Sequence, residues 1–324
     1  MNPALETLAL AHQEHFTAGG NTLFLGAEPH PLIGHVTAWQ PLRPLAQQCI
    51  RSDMNLCEQP TGTFRTILFL PGKSKDETLS GFARAHDLLA PNGTLIVSLS
   101  NTSGASRFEK ILSQATPLLF SISKNKCRAF GVSNAHPWLP ELLETWRRLA
   151  EPQLIPGTDF TTEPGIFSTA HIDPGSALLA TLIPHSLRGH VADLGAGWGY
   201  LSRIALEKSP KISRIDLFEA DARALRCAGK NVPHPATFHW HDVTCGLPQP
   251  YDHIITNPPF HTGQSKDTDL GKAFLTAAAA ALKRGGTLHL VANRQLPYEA
   301  HLTSLGLHPR LLAETAIYKV IVAR

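Results

Sequence analysis

From residue 190 onward the chain alternates short apolar runs with longer amphipathic stretches, so the spacing of apolar positions switches between a strand-like and a helix-like period. Residues 190–194, 214–219, 236–240, 251–256 and 287–293 are the strand-like runs. Residues 175–183, 200–207, 222–230 and 270–282 have the helical pattern, and Gly285-Gly286 stands where a left-handed cap of the last helix is expected. Most strands are followed by enough chain for a helical crossover, which predicts a parallel sheet. The end of the chain breaks that rhythm. Residues 309–314 and 317–323 are both strand-like and lie too close for a crossover, so an antiparallel hairpin is expected to close a mostly parallel, seven-stranded sheet.

The first half carries an echo of the second. Gly72-Lys73-Ser74-Lys75-Asp76-Glu77-Thr78-Leu79 parallels Gly263-Gln264-Ser265-Lys266-Asp267-Thr268-Asp269-Leu270. Each stretch follows a strand, opens a helix, and leads through glycine to a similar strand, Gly93-Thr94-Leu95-Ile96-Val97 in one and Gly286-Thr287-Leu288-His289-Leu290 in the other. A repeated strand–helix–strand unit predicts duplication of a whole α/β domain. The first copy is expected to be degenerate: it has Leu70-Pro71 where the second has Asn257-Pro258-Pro259-Phe260, and no counterpart of the glycine-rich turn at 195–199 is visible. The expected division is a first domain at 1–150, a linker at 151–162 rich in Pro and Gly (Pro152, Pro156, Gly157), and a second domain at 163–324.

Bulk properties agree with a two-domain globular chain. At 324 residues it is longer than one core usually needs, and its 43% hydrophobic and 17% charged content is that of a folded protein. No apolar run approaches the length of a bilayer span, and the first residues show no export signal, so no membrane partner is expected. Five cysteines without a CxxC pair are expected to be reduced thiols in a cytoplasm. The net charge of +3 is too small to hold nucleic acid by charge alone, so such a partner would be met by local patches or shape.

The candidate chemistry sits at strand ends. Asp193-Leu194-Gly195-Ala196-Gly197-Trp198-Gly199 joins a strand to a helix, the place where open α/β sheets bind ligands. Gly195 permits the turn, Gly197 admits a ligand close to the backbone, and the helix N-terminus is expected to offer free N–H donors to a carboxylate. A dinucleotide fingerprint needs its third glycine three positions after the second; Gly199 comes after two, which disfavours NAD. Asp193 is placed to hold an amino-acid ammonium, Glu219 at the next strand end to accept from ribose hydroxyls, and Asp242 after the third strand to contact an adenine amino group.

Asn257-Pro258-Pro259-Phe260 follows the fourth strand directly and so shares that sheet edge. An exocyclic NH2 can donate to the Asn257 side-chain oxygen and to the Pro258 carbonyl, which turns its lone pair toward a methyl donor. The two prolines stiffen the loop and Phe260 offers a face for stacking a planar base. No strong general base is needed, because the methylated nitrogen becomes acidic enough to lose its proton to water. Asn257 is counted with both the catalytic and the cofactor-contacting residues.

Other features are weaker. His239 and His241 have a spacing that can bind metal but no third ligand in pattern, and no metal is expected. Lys124, Lys126 and Arg128 are expected on one strand face as a phosphate contact. Phe167 and Ser168 precede the second domain's first helix as a cover for the cofactor, and His261 follows Phe260 as a loop-fixing side chain.

These motifs resemble the N-methyltransferases of the class I Rossmann-like superfamily. Gly165-Ile166-Phe167-Ser168, Asp173-Pro174-Gly175-Ser176, Asn257 to Gly263 and Val291-Ala292-Asn293-Arg294-Gln295-Leu296-Pro297-Tyr298 are similar to the ribosomal RNA small subunit methyltransferase C family, with the large-subunit methyltransferase G family as a near relative. Pro71 to Lys75, Ser103-Gly104 and Lys124 to Arg128 extend the resemblance loosely into the first half. The resemblance implies two class I methyltransferase domains, the first degenerate and serving RNA recognition or structure. It also implies S-adenosylmethionine as cofactor, ribosomal RNA or the small ribosomal subunit as partner, and guanine N2 methylation of 16S rRNA by a cytoplasmic monomer. Two other readings stay open on the residues alone: a glutamine-amide or DNA-adenine N-methyltransferase, and a non-catalytic RNA-binding or ribosome-assembly protein.

Overall fold

The apolar runs become the strands of two seven-stranded sheets, one in each of two compact units, Met1–Pro152 and Gln153–Arg324. The computed structural model describes residues 2–15, 20–259, 261–262, 265–266 and 268–324. No described helix is long and apolar enough to cross a membrane.

The first unit contains α1 (Pro3–His15), β1 (Thr22–Leu25), β2 (Thr37–Trp39), α2 (Arg43–Arg51), β3 (Asn55–Leu56), β4 (Phe64–Phe69), α3 (Lys75–Leu88), β5 (Leu89–Ser100), α4 (Ala105–Ala115), β6 (Leu118–Lys124), β7 (Cys127–Ser133) and α5 (Pro140–Arg148). Its strand order is β3-β2-β1-β4-β5-β7-β6. In the second unit come β8 (Gln153–Leu154), β9 (Thr161–Thr162), α6 (Pro174–Leu182), β10 (Arg188–Leu194), α7 (Tyr200–Lys208), β11 (Lys211–Glu219), α8 (Ala222–Asn231), β12 (Ala236–Trp240) and β13 (Tyr251–Thr256). They are followed by β14 (His261–Thr262), β15 (Ser265–Lys266), α9 (Thr268–Ala280), β16 (Leu282–Asn293), α10 (Tyr298–Ser304), β17 (Pro309–Glu314) and β18 (Tyr318–Ala323). The order β12-β11-β10-β13-β16-β18-β17 repeats that of the first unit strand for strand, with β18 antiparallel to β16 as β7 is to β5.

The duplication extends to irregularities. Between β4 and β5 the register jumps from Phe64↔Leu89 to Thr66↔Thr94; between β13 and β16 it jumps from Tyr251↔Leu282 to His253↔Thr287, the same slip at the same place. Central strands bury both faces, which is why they read as unbroken apolar runs. Ala192, Leu194, Ile254 and Leu288 pack under α9, while Val191, Ile255, Leu217 and Val291 pack on the opposite face with Leu179 of α6 and Leu201 of α7.

Several expectations need correction. The first unit does keep part of the glycine turn. Registers place Leu25-Gly26-Ala27 where Leu194-Gly195-Ala196 lies, and Gly26 has φ +71 against +67 for Gly195. Gly26 N and Ala27 N both donate to Trp39 O, as Gly195 N and Ala196 N do to Phe218 O. The motif was hidden because Glu28 replaces the next glycine and no helix follows in residues 26–36. Residues 153–162, expected as part of a linker, form the β8–β9 hairpin; Ile155 and Phe160 are buried against Trp198, and Asn231 bonds both Thr161 backbone groups. Helix α9 ends at Ala280, and the positive-φ Gly285 lies inside β16, where the register slips, so it does not cap that helix. Lys124, Lys126 and Arg128 do not share a strand face. Asn125 and Lys126 form a two-residue turn with φ +55 and +57, and Arg128 is paired with Glu109.

Candidate functional site

Pairing of Leu194 with Thr256 brings the ends of β10 and β13 side by side, and the Thr256 hydroxyl donates to Leu194 O at 2.7 Å. The glycine turn and the Asn257 loop therefore leave the same edge of the sheet together. Between them and the start of α6 lies a small cleft open to solvent. Of the expected site residues, Gly195, Ala196, Gly197 and Asn257 line it. Asp173, Ser176, Tyr200 and Leu201 also line it, and these were not expected as site residues.

Of the turn glycines, two do different work. At Gly199 (φ +90) a Cβ would meet Val232 Cγ2 at 2.4 Å, so its absence allows α7 to close on α8. At Gly197 (φ +55) a Cβ would meet nothing within 4 Å. That position faces open space, so its positive φ rather than packing is what favours glycine there. The turn's amides, expected as free donors, are instead largely committed. Gly195 N and Ala196 N donate to Phe218 O, Gly199 N to Ala196 O, and Gly197 N to Glu219 Oε2 at 2.7 Å. These bonds brace the turn against β11.

Asp193 lies beneath the turn, 0% exposed. Its Oδ2 accepts from the Ser202 hydroxyl at 2.7 Å, whereas Oδ1 is buried with no hydrogen-bond partner among the described residues. Burial pushes its carboxyl up to about 7, opposed by the Ser202 hydroxyl and reinforced by Glu219. Glu219 is half-buried; burial raises its carboxyl as well, opposed by the Asp221 and Gly197 amides. Asp242 caps its own turn by accepting from Thr244 N and Oγ1. Asp193, Gly199, Glu219 and Asp242 do not line the cleft and stand as flanking groups around it.

Asn257 is held by α6. Its Nδ2 donates to Asp173 Oδ2 at 3.0 Å and to Ser176 Oγ at 2.9 Å. A carboxylate can only accept, which fixes the amide with its nitrogen toward α6 and its oxygen away from it. Pro258 is buried and Pro259 half-buried; Phe260 and the side chain of His261 lie outside the described residues. Phe167 and Ser168 also line the cleft; Phe167 is 64% exposed, its carbonyl accepting from Trp198 Nε1 at 3.1 Å. Next to it Ser168 takes φ +54, an uncommon conformation for a non-glycine residue. His239 and His241 both pack on the Phe218 ring, stacked at 4.6 Å and edge-on at 5.6 Å, and His241 Nε2 bonds Gly246 O.

Comparison with known proteins agrees with this geometry. The model of the methyltransferase small domain family matches residues 157–322. Ribosomal RNA small subunit methyltransferase C of Alteromonas mediterranea is 30% identical over 244 residues, covering 74% of this chain and 67% of that protein. The protein of the same name from Salmonella paratyphi A is 30% identical over 288 residues, covering 87% of this chain and 82% of its own length. The chain belongs to the ribosomal RNA small subunit methyltransferase C family. The two-unit fold of this methyltransferase is shared with the T. thermophilus 16S rRNA N2 methyltransferase RsmC, solved with AdoMet and guanosine. The TM-score is 0.81 at 24% identity, over 100% of this chain and 92% of that one. In this family member the α6 residues around Asn257 escaped sequence reading because they lie 84 and 81 residues away from it. Asp173-Pro174-Gly175-Ser176 does carry the signature of a helix start, an N-cap acid followed by proline, but nothing local names its partner.

Proposed function

We propose that this chain transfers a methyl group from S-adenosylmethionine to the exocyclic N2 of a guanosine in 16S rRNA of the small ribosomal subunit. The observation that carries the reading is the Asn257 amide, clamped through its nitrogen so that its oxygen is free at the lip of the cleft. The names of the relatives support the RNA and the base.

The residues present fit the cofactor. The open space at Gly197 admits it, the unpartnered Asp193 Oδ1 suits an ammonium, and Asp193, Glu219 and Asp173 give the region a negative field that favours a cation. Among the described lining residues none is basic. When bound, S-adenosylmethionine supplies a sulfonium methyl as the electrophile. Asn257 Oδ1 and the Pro258 carbonyl would each accept a hydrogen from the guanine amine, concentrating its lone pair on nitrogen and stabilising the positive charge that develops there. The buried Pro258 keeps those acceptors stiff, and the proton leaves afterwards to water. All these groups belong to one unit of one chain, so a monomer suffices. The first unit, with Leu70 at the position of Asn257, would hold RNA or serve a structural role rather than carry chemistry.

Full-length protein incubated with labelled S-adenosylmethionine and small subunits from a strain lacking it should yield labelled N2-methylguanosine on digestion of the rRNA. Asn257→Ala should lower kcat on the order of tenfold or more with a smaller effect on cofactor affinity. Label in protein, or in another nucleoside, would reject the reading.

A further inference from the structure

We propose that Asp173 and Ser176 are positioning residues for methyl transfer, acting through Asn257 by fixing which way its amide faces. This rests on the reading of Asn257 as the acceptor for the substrate amine.

An amide side chain offers an oxygen and an NH2 of nearly equal size, so a free Asn257 would present either to the cleft. Presenting the NH2 would set donor against donor and repel an amine. The first turn of α6 removes that choice. Both Nδ2 hydrogens have acceptors, Asp173 Oδ2 at 3.0 Å and Ser176 Oγ at 2.9 Å, so the nitrogen is saturated. Asp173 is itself held: the same Oδ2 accepts from Ser176 N at 2.7 Å as the N-cap of α6. The helix start is fixed in turn by Tyr318 of β18, whose ring lies within 3.0 Å of the place a Cβ on Gly175 would take. Three separated elements, α6, β13 and β18, thus converge on one rotatable bond. The charge on Asp173 adds a second effect. A hydrogen bond from Nδ2 to a carboxylate draws electron density toward Oδ1 and makes it a better acceptor for an amine gaining positive charge.

The test is a kinetic cycle on the full chain, with small ribosomal subunits and S-adenosylmethionine as substrates. Asp173→Ser keeps a capping hydroxyl for the Ser176 amide but withdraws the carboxylate from Asn257, and should lower kcat about tenfold. Ser176→Ala removes one neutral acceptor and should lower kcat about fivefold. Asp173→Asn, which can offer an oxygen at the same place, should recover activity to within about threefold of wild type. RNA KM should stay within about twofold throughout, cofactor Kd should rise by less than kcat falls because Asp173 also lines the cleft, and urea unfolding of each variant reports on the cap separately. The deciding comparison is in the Asn257→Ala background, where Asp173→Ser and Ser176→Ala should both be silent, because the group they orient is gone. The same fold-losses persisting in that background would overturn the proposal, as would losses confined to Kd or KM. Failure of the guanosine reading would look different: label would appear on another amine, and the same cycle run on that amine would still decide the positioning role.

Discussion

Asp193 gives the sharpest quantitative consequence. Its carboxyl is 0% exposed, and burial lifts it from an ordinary 3.8 to about 7. Between these two values the folded chain holds a proton that the unfolded chain has released. The stability linked to this group is therefore full below 3.8, falls as pH rises, and is gone above about 7. At about 1.4 kcal/mol per tenfold, keeping Asp193 ionised at pH 8 costs the apo protein on the order of 4 kcal/mol. Asp193→Asn removes that cost but buries an NH2 where Oδ1 lacks a partner, a penalty of roughly 1–3 kcal/mol. The variant should therefore be more stable than wild type at pH 8 by roughly 1–3 kcal/mol, and should lose that advantage by about pH 4. A cofactor ammonium pairs only with the ionised acid, so wild-type affinity should weaken about tenfold from pH 8 to pH 6, with close to one proton released per ligand bound at the lower pH. Calorimetry in two buffers of different ionisation enthalpy measures both quantities, and urea unfolding at the two pH values measures the first. A variant no more stable than wild type at pH 8, or an affinity flat across this range, would show that the buried Asp193 carboxylate carries no such cost.

Other perturbations separate packing from binding. Gly197→Ala should cost only about 1–2 kcal/mol of stability, because its methyl enters open space, yet weaken cofactor binding tenfold or more. Gly199→Ala, facing Val232 Cγ2 at 2.4 Å, should lower the melting temperature more than Gly197→Ala does. His289 is nearly buried, and burial, helped by His253 and Arg324, holds it down at about 4. Below its unfolded value the unfolded chain takes up a proton the folded chain refuses, so stability is lost as pH falls from 6.5 toward 4, by about 2 kcal/mol between pH 7.5 and 5. Unfolding of His289→Gln across the same range should show that loss removed.

What the sequence disclosed follows from how local each signal is. Strands β12, β13 and β17 were legible to the residue because alternation or an apolar run is complete within five or six positions. In the first unit β2 has three residues and β3 two, too few to show any period, and they exist because β1 pairs with one and α2 packs beside the other. The glycine turn of the second unit announced itself by three glycines in five positions, whereas the first unit retains only the one that the backbone bonding needs. The clamp on Asn257 was out of reach for a different reason. Its acceptors belong to a helix that precedes the sheet's first strand, and only the topology returns that helix to the end of β13.

The two units separate a frame from its chemistry. Strand registers put Phe24 opposite Asp193, Gln40 opposite Glu219 and Leu70 opposite Asn257. Gln40 still accepts from the amide two residues on, Leu42, as Glu219 does from Asp221, so the brace needs only an oxygen at that point and not a charge. Phe24 is wholly buried and packs with Leu68 and Ile96. It fills the position of an acid whose ionisation works against folding, so the first sheet lacks, at that position, the cost on the order of 4 kcal/mol that Asp193 imposes above pH 7. A buried acid with an unsatisfied oxygen lowers the stability of any sheet that contains it. Its presence in the second unit, beneath the turn where space is left at Gly197, is what the proposed cationic ligand would account for by supplying the missing partner.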